Sequence, residues 1–145
     1  MSTDPTLDHE IQDRSQPETF RARSLVPSLT VRDLARSVEW YRDVVGFIVA
    51  EEYEQDGEVG GVSLKAGSVE LMLSQDDGAR GMDRKKGVGF SLYFGTAQSV
   101  DEIADRIRSR GGTLLSEPTD MPWGSRVFRI EDPDGFRLAI ASEPE

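Results

Sequence analysis

The chain has no cysteine and a single histidine, His9. The first absence excludes disulfides and thiol chemistry and fits a reducing compartment. The second removes the imidazole that a zinc, nickel or iron site ordinarily wants. Long apolar runs are missing as well, and none approaches the roughly 20 residues of a membrane-crossing helix. The segment from Met1 to Arg23 is polar and mixed in charge, with no apolar core of a leader peptide. A soluble, cytoplasmic protein with no membrane partner is the expectation. Positive charge is scarce: 17 Lys and Arg stand against 27 Asp and Glu, a formal net charge of −10. Nucleic acid, whose phosphates need a basic face, is thereby disfavoured as a partner. The acidic excess favours solubility and weakly favours a cationic ligand, although an acidic solvated surface is the ordinary condition of such chains.

What is present is a repetition. Ser28-Leu29-Thr30-Val31 recurs as Ser91-Leu92-Tyr93-Phe94, Ser37-Val38-Glu39 as Ser99-Val100-Asp101, and Gly67 to Leu73 as Gly135 to Ala141. Each copy orders its parts as strand, helix, strands, so two half-domains are expected to build one shared site. At 145 residues the chain is long enough for one domain with a real core. Residues 1–23 are expected to form a flexible polar tail. One domain is expected over 24–142, its repeats covering about 24–75 and 87–142.

The pattern predicts the elements. Leu25–Val31 alternates as a strand with Pro27 near its edge. Asp33 caps a helix reaching about Val45, closed by Gly46. Strands follow at about Phe47–Tyr53, Gly61–Ala66 and Ser68–Ser74, with turns at Asp56-Gly57 and Ala66-Gly67. Asp76 to Gly87 links the halves. The second half offers a strand at Val88–Phe94, a helix capped by Ser99 and ended by Gly111-Gly112, and strands at Thr113–Ser116, Arg126–Ile130 and Phe136–Ala141. Asp132-Pro133-Asp134-Gly135 fits a type I turn.

Four pieces carry a family resemblance: Val31-Arg32-Asp33-Leu34 with Ser37, Trp40 to Phe47, Pro122-Trp123-Gly124 and Asp132-Pro133-Asp134-Gly135. In that order and spacing they resemble the vicinal oxygen chelate superfamily of glyoxalase, bleomycin-resistance and dioxygenase proteins, over about 24–142. The resemblance implies an α+β fold of paired βαβββ modules, forming a curled open sheet around a U-shaped cavity, in a homodimer. Metal-using relatives place His, Gln or Glu on the first and last strands of each half. Carried onto this chain, those positions fall at Val26, Glu70, Gly89 (or Phe90, one residue on) and Ala139, of which only Glu70 could ligate. No metal and no cofactor are therefore expected.

Strand alternation assigns the cavity walls. Ser28, Thr30, Glu70, Met72, Ser91, Tyr93 and Arg137 fall on the face away from the helices, with Gly89, Ala139 and Ala141, and the resemblance implies that the loop carrying Trp123 borders the cavity mouth, as it does in drug-binding relatives. The candidate ligand residues are Ser28, Thr30, Glu70, Met72, Ser91, Tyr93, Trp123 and Arg137. Each also has a purely structural reading. Glu70 can be a solvated carboxylate or the partner of Arg137, Tyr93 a half-exposed sheet aromatic, Trp123 a packing residue and Met72 a filler. Arg126 and Arg129 read as surface residues, and Trp40 as core. Such a wall suits a small organic molecule, cationic or aromatic, sequestered without chemistry. The alternative is a metal-independent lyase or isomerase using Glu70 as base and Tyr93 as acid. A third possibility is a non-catalytic interaction module, for which the chain offers no partner motif.

Overall fold

The computed structural model describes residues 19–143. Most of the expected N-terminal tail, including His9, lies outside the described residues. The chain folds as two βαβββ halves. The first half comprises β1 (Ser28–Val31), α1 (Leu34–Glu39) with a π-helical continuation (Trp40–Val45), β2 (Ile48–Gln55), β3 (Glu58–Ala66) and β4 (Val69–Gln75). The second comprises β5 (Ser91–Thr96), α2 (Val100–Ser109), β6 (Leu114–Asp120), β7 (Arg126–Glu131) and β8 (Arg137–Ser142). Each half makes one open, mixed, four-stranded sheet, ordered β1-β4-β3-β2 and β5-β8-β7-β6, with the first strand parallel to the last. The fold is α+β, as the resemblance implies.

Local chemistry sets the helices. Asp33 accepts a hydrogen bond from the Arg36 N–H at 3.2 Å, and Ser99 one from the Glu102 N–H at 3.3 Å, satisfying donors the first turn would otherwise leave open. Gly46 ends the first helix at φ 111°, and both its N–H and that of Phe47 reach the Tyr41 carbonyl at 2.9 Å. The two helices then pack closely. A Cβ on Gly112 would stand 2.7 Å from Val44 Cγ1, so the approach depends on glycine there.

One core joins the halves, holding Leu29, Val31, Tyr41, Leu64, Leu71 and Leu73 of the first and Ile107, Phe128, Ile130, Leu138 and Ile140 of the second. A file of edge-on rings crosses the boundary, from Trp40 to Tyr41 (4.8 Å), Phe47 (5.5 Å) and Phe94 (5.9 Å).

A polar lock fastens the same boundary. Asp132 is 4% exposed. It accepts from Tyr41 Oη at 2.8 Å and from the N–H groups of Asp134 (2.9 Å) and Phe136 (2.8 Å). Burial pushes its carboxyl up, against the pull of those donors, and burial with Asp132 close by raises the Tyr41 phenol. Asp134 accepts from the Arg32 N–H at 2.9 Å and pairs with Lys86 at 3.5 Å. Lys86 in turn donates to Asp76 at 2.7 Å and to the Thr30 carbonyl at 2.9 Å. The turn at 132–135 forms as expected locally, but both its carboxylates serve the other half.

Several expectations need correction. β1 begins at Ser28, not Leu25, which is 88% exposed; only the Pro27 carbonyl reaches β4, accepting from Met72 N–H at 2.9 Å. β5 begins at Ser91, not Val88, because Gly87 (φ 73°) and Gly89 (φ 85°) make a left-handed turn there, leaving Val88 and Phe90 exposed. Gly89 is therefore no wall residue. The repeat also slips. Leu71 and Leu73 face the core, whereas their sequence matches Ala139 and Ala141 face the other way and Leu138 and Ile140 take the core positions. Ser37 lies buried within α1, while its match Ser99 is a helix cap.

Candidate functional site

The helices cover one face of each sheet, and alternation turns the remaining residues to a helix-free face. On the first sheet this face carries Ser28, Thr30, Ser63, Glu70 and Met72, with Met72 in register with both Ser28 and Ser63. Glu70 is held by Ser63, whose hydroxyl donates to it at 2.5 Å, and Ser63 is itself buried. Tyr53 stands on β2 opposite Gly61 and donates to Glu51 at 3.0 Å. That hydrogen bond, ahead of burial, raises the Tyr53 phenol. Glu51 and Glu70 stand on this wall with Lys65, which is in register with Glu70, leaving it one negative charge in excess.

The second sheet presents Ser91, Tyr93 and Arg137. Tyr93 is 53% exposed and Trp123 is 55% exposed, and Trp123 Nε1 donates to Tyr93 Oη at 3.3 Å. A turn positions the tryptophan: Met121 N–H bonds the Ser125 carbonyl at 2.8 Å and Gly124 N–H the Met121 carbonyl at 3.0 Å. Trp123 is thus no packing residue. It meets Tyr93 edge to edge through that hydrogen bond. Met121 packs on Val127, Ala139 and Ala141, which are buried beneath this loop. Arg137 approaches Glu131 at 3.6 Å, not Glu70.

Glu70 and Tyr93 belong to separate sheets and share no hydrogen bond. Of the residues singled out, the structure brings together Tyr93 with Trp123, Met72 with Ser28, and Ser91 with Arg137. It does not bring together Glu70 with Arg137 or with Tyr93.

Arg129 was read as surface and is not. It alternates with the core residues Phe128 and Ile130, so it shares the helix-free face with Val127, in register with Ala139. Its Nη1 is buried with no hydrogen-bond acceptor among the described residues. The period-2 pattern that placed Arg137 on the wall places Arg129 there too. A buried donor without an acceptor is costly, about 1–3 kcal/mol, unless something supplies one. Arg126 is a surface residue as expected, paired with Asp101 (2.8 Å) and Asp120 (3.2 Å), which hold its guanidinium above its ordinary range.

The relatives' metal does not fit these donors. Glu70 has Ser63, Lys65 and Met72 around it on the sheet, and no group of three His, Cys, Asp or Glu side chains able to hold an ion occurs among the described residues.

A cavity of about 710 Å³ lies elsewhere, between the halves, against the shared core. None of the eight candidate ligand residues lines it. No helix among the described residues is long and apolar enough to cross a membrane.

Two curved open βαβββ sheets with side chains of their helix-free faces set out as walls define a class of binding and catalytic proteins. The chain matches the family model for the glyoxalase/bleomycin resistance protein/dioxygenase superfamily over residues 23–140, and it belongs to that family. It is 28% identical to the lactoylglutathione lyase of Salmonella typhimurium over 127 residues, covering 81% of this chain and 90% of that protein. It is 25% identical over 130 residues to a lactoylglutathione lyase of Arabidopsis thaliana, covering 86% of this chain but 45% of the relative, so the chain spans about half the length of that plant protein. Among solved structures, TnmS3 from Streptomyces sp. CB03234, an antibiotic binding protein, superposes with a TM-score of 0.68 at 22% identity, covering 88% of this chain and 100% of that one. At that identity the likeness concerns the fold.

Proposed function

We propose that this protein binds a small planar or cationic organic molecule on the helix-free faces of its sheets, without a metal ion and without breaking a bond. The observation that carries this is the half-exposed Tyr93–Trp123 pair, two large rings held together at the open face rather than buried. Such rings offer stacking and cation–π contact. Glu70, kept in place by Ser63, supplies countercharge. The hydroxyls of Ser28, Thr30 and Ser91 supply polar contacts, Met72 adapts to shape, and Arg129 and Arg137 meet a carbonyl or other acceptor. Binding of antibiotics by TnmS3 is in keeping with this class of ligand.

A homodimer completes the site. The first-sheet wall carries Glu51 and Glu70 with Lys65, and the second-sheet wall Arg129 and Arg137 with Glu131, so each wall has one charge in excess, of opposite sign, and the two are complementary. Exposed apolar groups, Leu115 at 51% and Trp123 at 55%, are then covered. Light scattering that gives the mass of one chain at micromolar concentration would remove this part.

The test uses acridine orange, a planar cation, and bleomycin as probes, followed by tryptophan fluorescence. Saturable binding is expected, and Trp123→Phe is expected to abolish most of the signal change. No saturable response to either probe would sink the proposal.

The lyase relatives favour a second reading, a metal-independent reaction with Glu70 as base and Tyr93 as acid. It requires the two residues to meet across protomers. Formation of lactoylglutathione by the purified chain, lost in Glu70→Gln, would establish it; turnover unchanged by Glu70→Gln would end it.

A further inference from the structure

The cavity between the halves is the counterpart of the polar lock. The chain's two halves meet at two quasi-equivalent junctions. At one, the connection entering the last strand of the second half, Asp132 to Phe136, reaches back over the end of β1 and α1, and Lys86 and Asp76 fill the remainder. At the other, the matching connection entering β4 is only Gly67-Ser68, too short to reach over the end of β5 and α2. The space the longer turn would occupy stays open, at about 710 Å³. That volume is in the range of sites for small organic ligands.

Its lining has two parts. The floor is apolar, with Phe47 and Phe94 edge-on at 5.9 Å and Leu138 and Ile140 beside them. Ile48, 64% exposed, and Val69, 39% exposed, stand at the wall. The rim carries Arg106 and Arg110, one turn apart on the end of α2. The other α2 arginine, Arg108, is paired with Asp105 and Glu117. Neither Arg106 nor Arg110 forms an ion pair within 4.0 Å among the described residues; Asp43 interacts with Arg110 at longer range, and Glu143 and the Asp43-paired Arg42 also line the cavity. The favourable end of the helix dipole explains basic residues in this turn. It does not explain two like charges placed i,i+4 over an open apolar floor, where they repel each other.

We infer that this inter-half cavity is a second ligand site, and that it takes an amphipathic organic anion, an apolar body on the Phe47–Phe94 floor with a carboxylate or sulfonate between Arg106 and Arg110. The filled junction supports the polarity. There the protein's own Asp132 and Asp134 carboxylates occupy the gap between the halves. The ligand would supply the anion the short Gly67-Ser68 connection cannot.

The test is titration of the full chain with 8-anilinonaphthalene-1-sulfonate, and its displacement by decanoate, decanol and decyltrimethylammonium. Saturable binding of one dye per chain is expected, displaced by decanoate at least tenfold more effectively than by decanol and not by the cation. Arg106→Gln/Arg110→Gln keeps helix propensity and is expected to weaken the dye and decanoate tenfold or more. Ala97→Trp, which crowds the mouth while keeping both arginines, is expected to weaken them also. Trp123→Phe is expected to leave both unchanged, and the arginine variant to leave acridine orange binding unchanged, so failure here and failure of the helix-free-face site are separable. Absence of saturable dye binding would overturn the inference. So would decanol displacing as well as decanoate, or binding indifferent to the arginine variant.

Discussion

Asp132→Ala is the sharpest perturbation of the junction between the halves. The wild-type carboxylate is almost fully buried and satisfies three donors: Tyr41 Oη, Asp134 N–H and Phe136 N–H. Alanine leaves all three without an acceptor. Each orphaned donor costs about 1–3 kcal/mol, partly offset because a buried carboxylate no longer has to be desolvated. A net loss of about 3–5 kcal/mol is expected, a large share of the roughly 5–15 kcal/mol that stabilises a domain. Asp132→Asn separates hydrogen bonding from charge. Its amide oxygen still serves the two backbone donors, and its NH₂ can donate to Tyr41 Oη, so a loss of about 1 kcal/mol is expected. Tyr41→Phe should fall between them, at about 2 kcal/mol. Urea unfolding followed by circular dichroism, with the slope checked for constancy, reads all three. If Asp132→Ala stays within about 1 kcal/mol of wild type, or Asp132→Asn is as damaging as Asp132→Ala, the lock does not hold the halves as argued.

Two carboxylates in the same network should respond to pH in opposite directions. The Lys86 hydrogen bond, and next the Gly78 N–H, hold the Asp76 carboxyl below its ordinary value. Its contribution is therefore present above the unfolded value of roughly 4 and lost as pH falls through the folded one; Asp76→Asn should cost more at pH 7 than at pH 3. Asp132 is pushed up, chiefly by burial, so its contribution is present at low pH and lost as pH rises above roughly 4. Asp132→Asn should then cost less at pH 7 than at pH 3, and urea titrations at the two pH values decide both signs. Gly87→Ala places a Cβ 2.6 Å from the Gly135 carbonyl at φ 73° and should cost about 2–3 kcal/mol, against about 1 for Gly57→Ala, which has a similar φ and nothing within 4 Å; thermal melts compare them. Trp123→Ala should weaken acridine orange binding about tenfold, the equivalent of about 1.4 kcal/mol, as the loss of one stacked ring in a binding site implies.

The parts of the fold governed by neighbouring residues were legible from the chain. Asp33 and Ser99 cap where their side chains predict, Gly46 ends its helix, and Asp56-Gly57 turns with both residues at positive φ. Alternation put Glu70, Met72, Tyr93 and Arg137 on the helix-free faces. What failed was register and reach. Period-2 patterning extended β1 and β5 backwards through Leu25 and Val88, because alternation continues past the point where ladder hydrogen bonds stop. The repeat aligned Leu71 with Ala139, whereas the strand pairings match Leu73 with Leu138, a slip of three residues, and an odd slip reverses every side chain's face. The turn at 132–135 announced its shape but not that Asp132 and Asp134 would bridge to Tyr41, Arg32 and Lys86, since nothing local encodes a contact about a hundred residues away. Arg126 and Arg129 share one reading as surface residues in the sequence, but three residues apart on a strand they take opposite faces, Arg126 toward Asp101 on α2 and Arg129 toward the helix-free face.

The central claim is that a metal-independent organic-ligand site lies on the helix-free faces around Tyr93 and Trp123. It is tested most directly by titrating the chelator-treated 145-residue chain with acridine orange, alongside Trp123→Ala. Saturable binding in the absence of divalent metal, unchanged on adding Zn²⁺ or Ni²⁺ and weakened about tenfold by the substitution, is the predicted result. Binding that appears only with metal, or that Trp123→Ala leaves untouched, would contradict it.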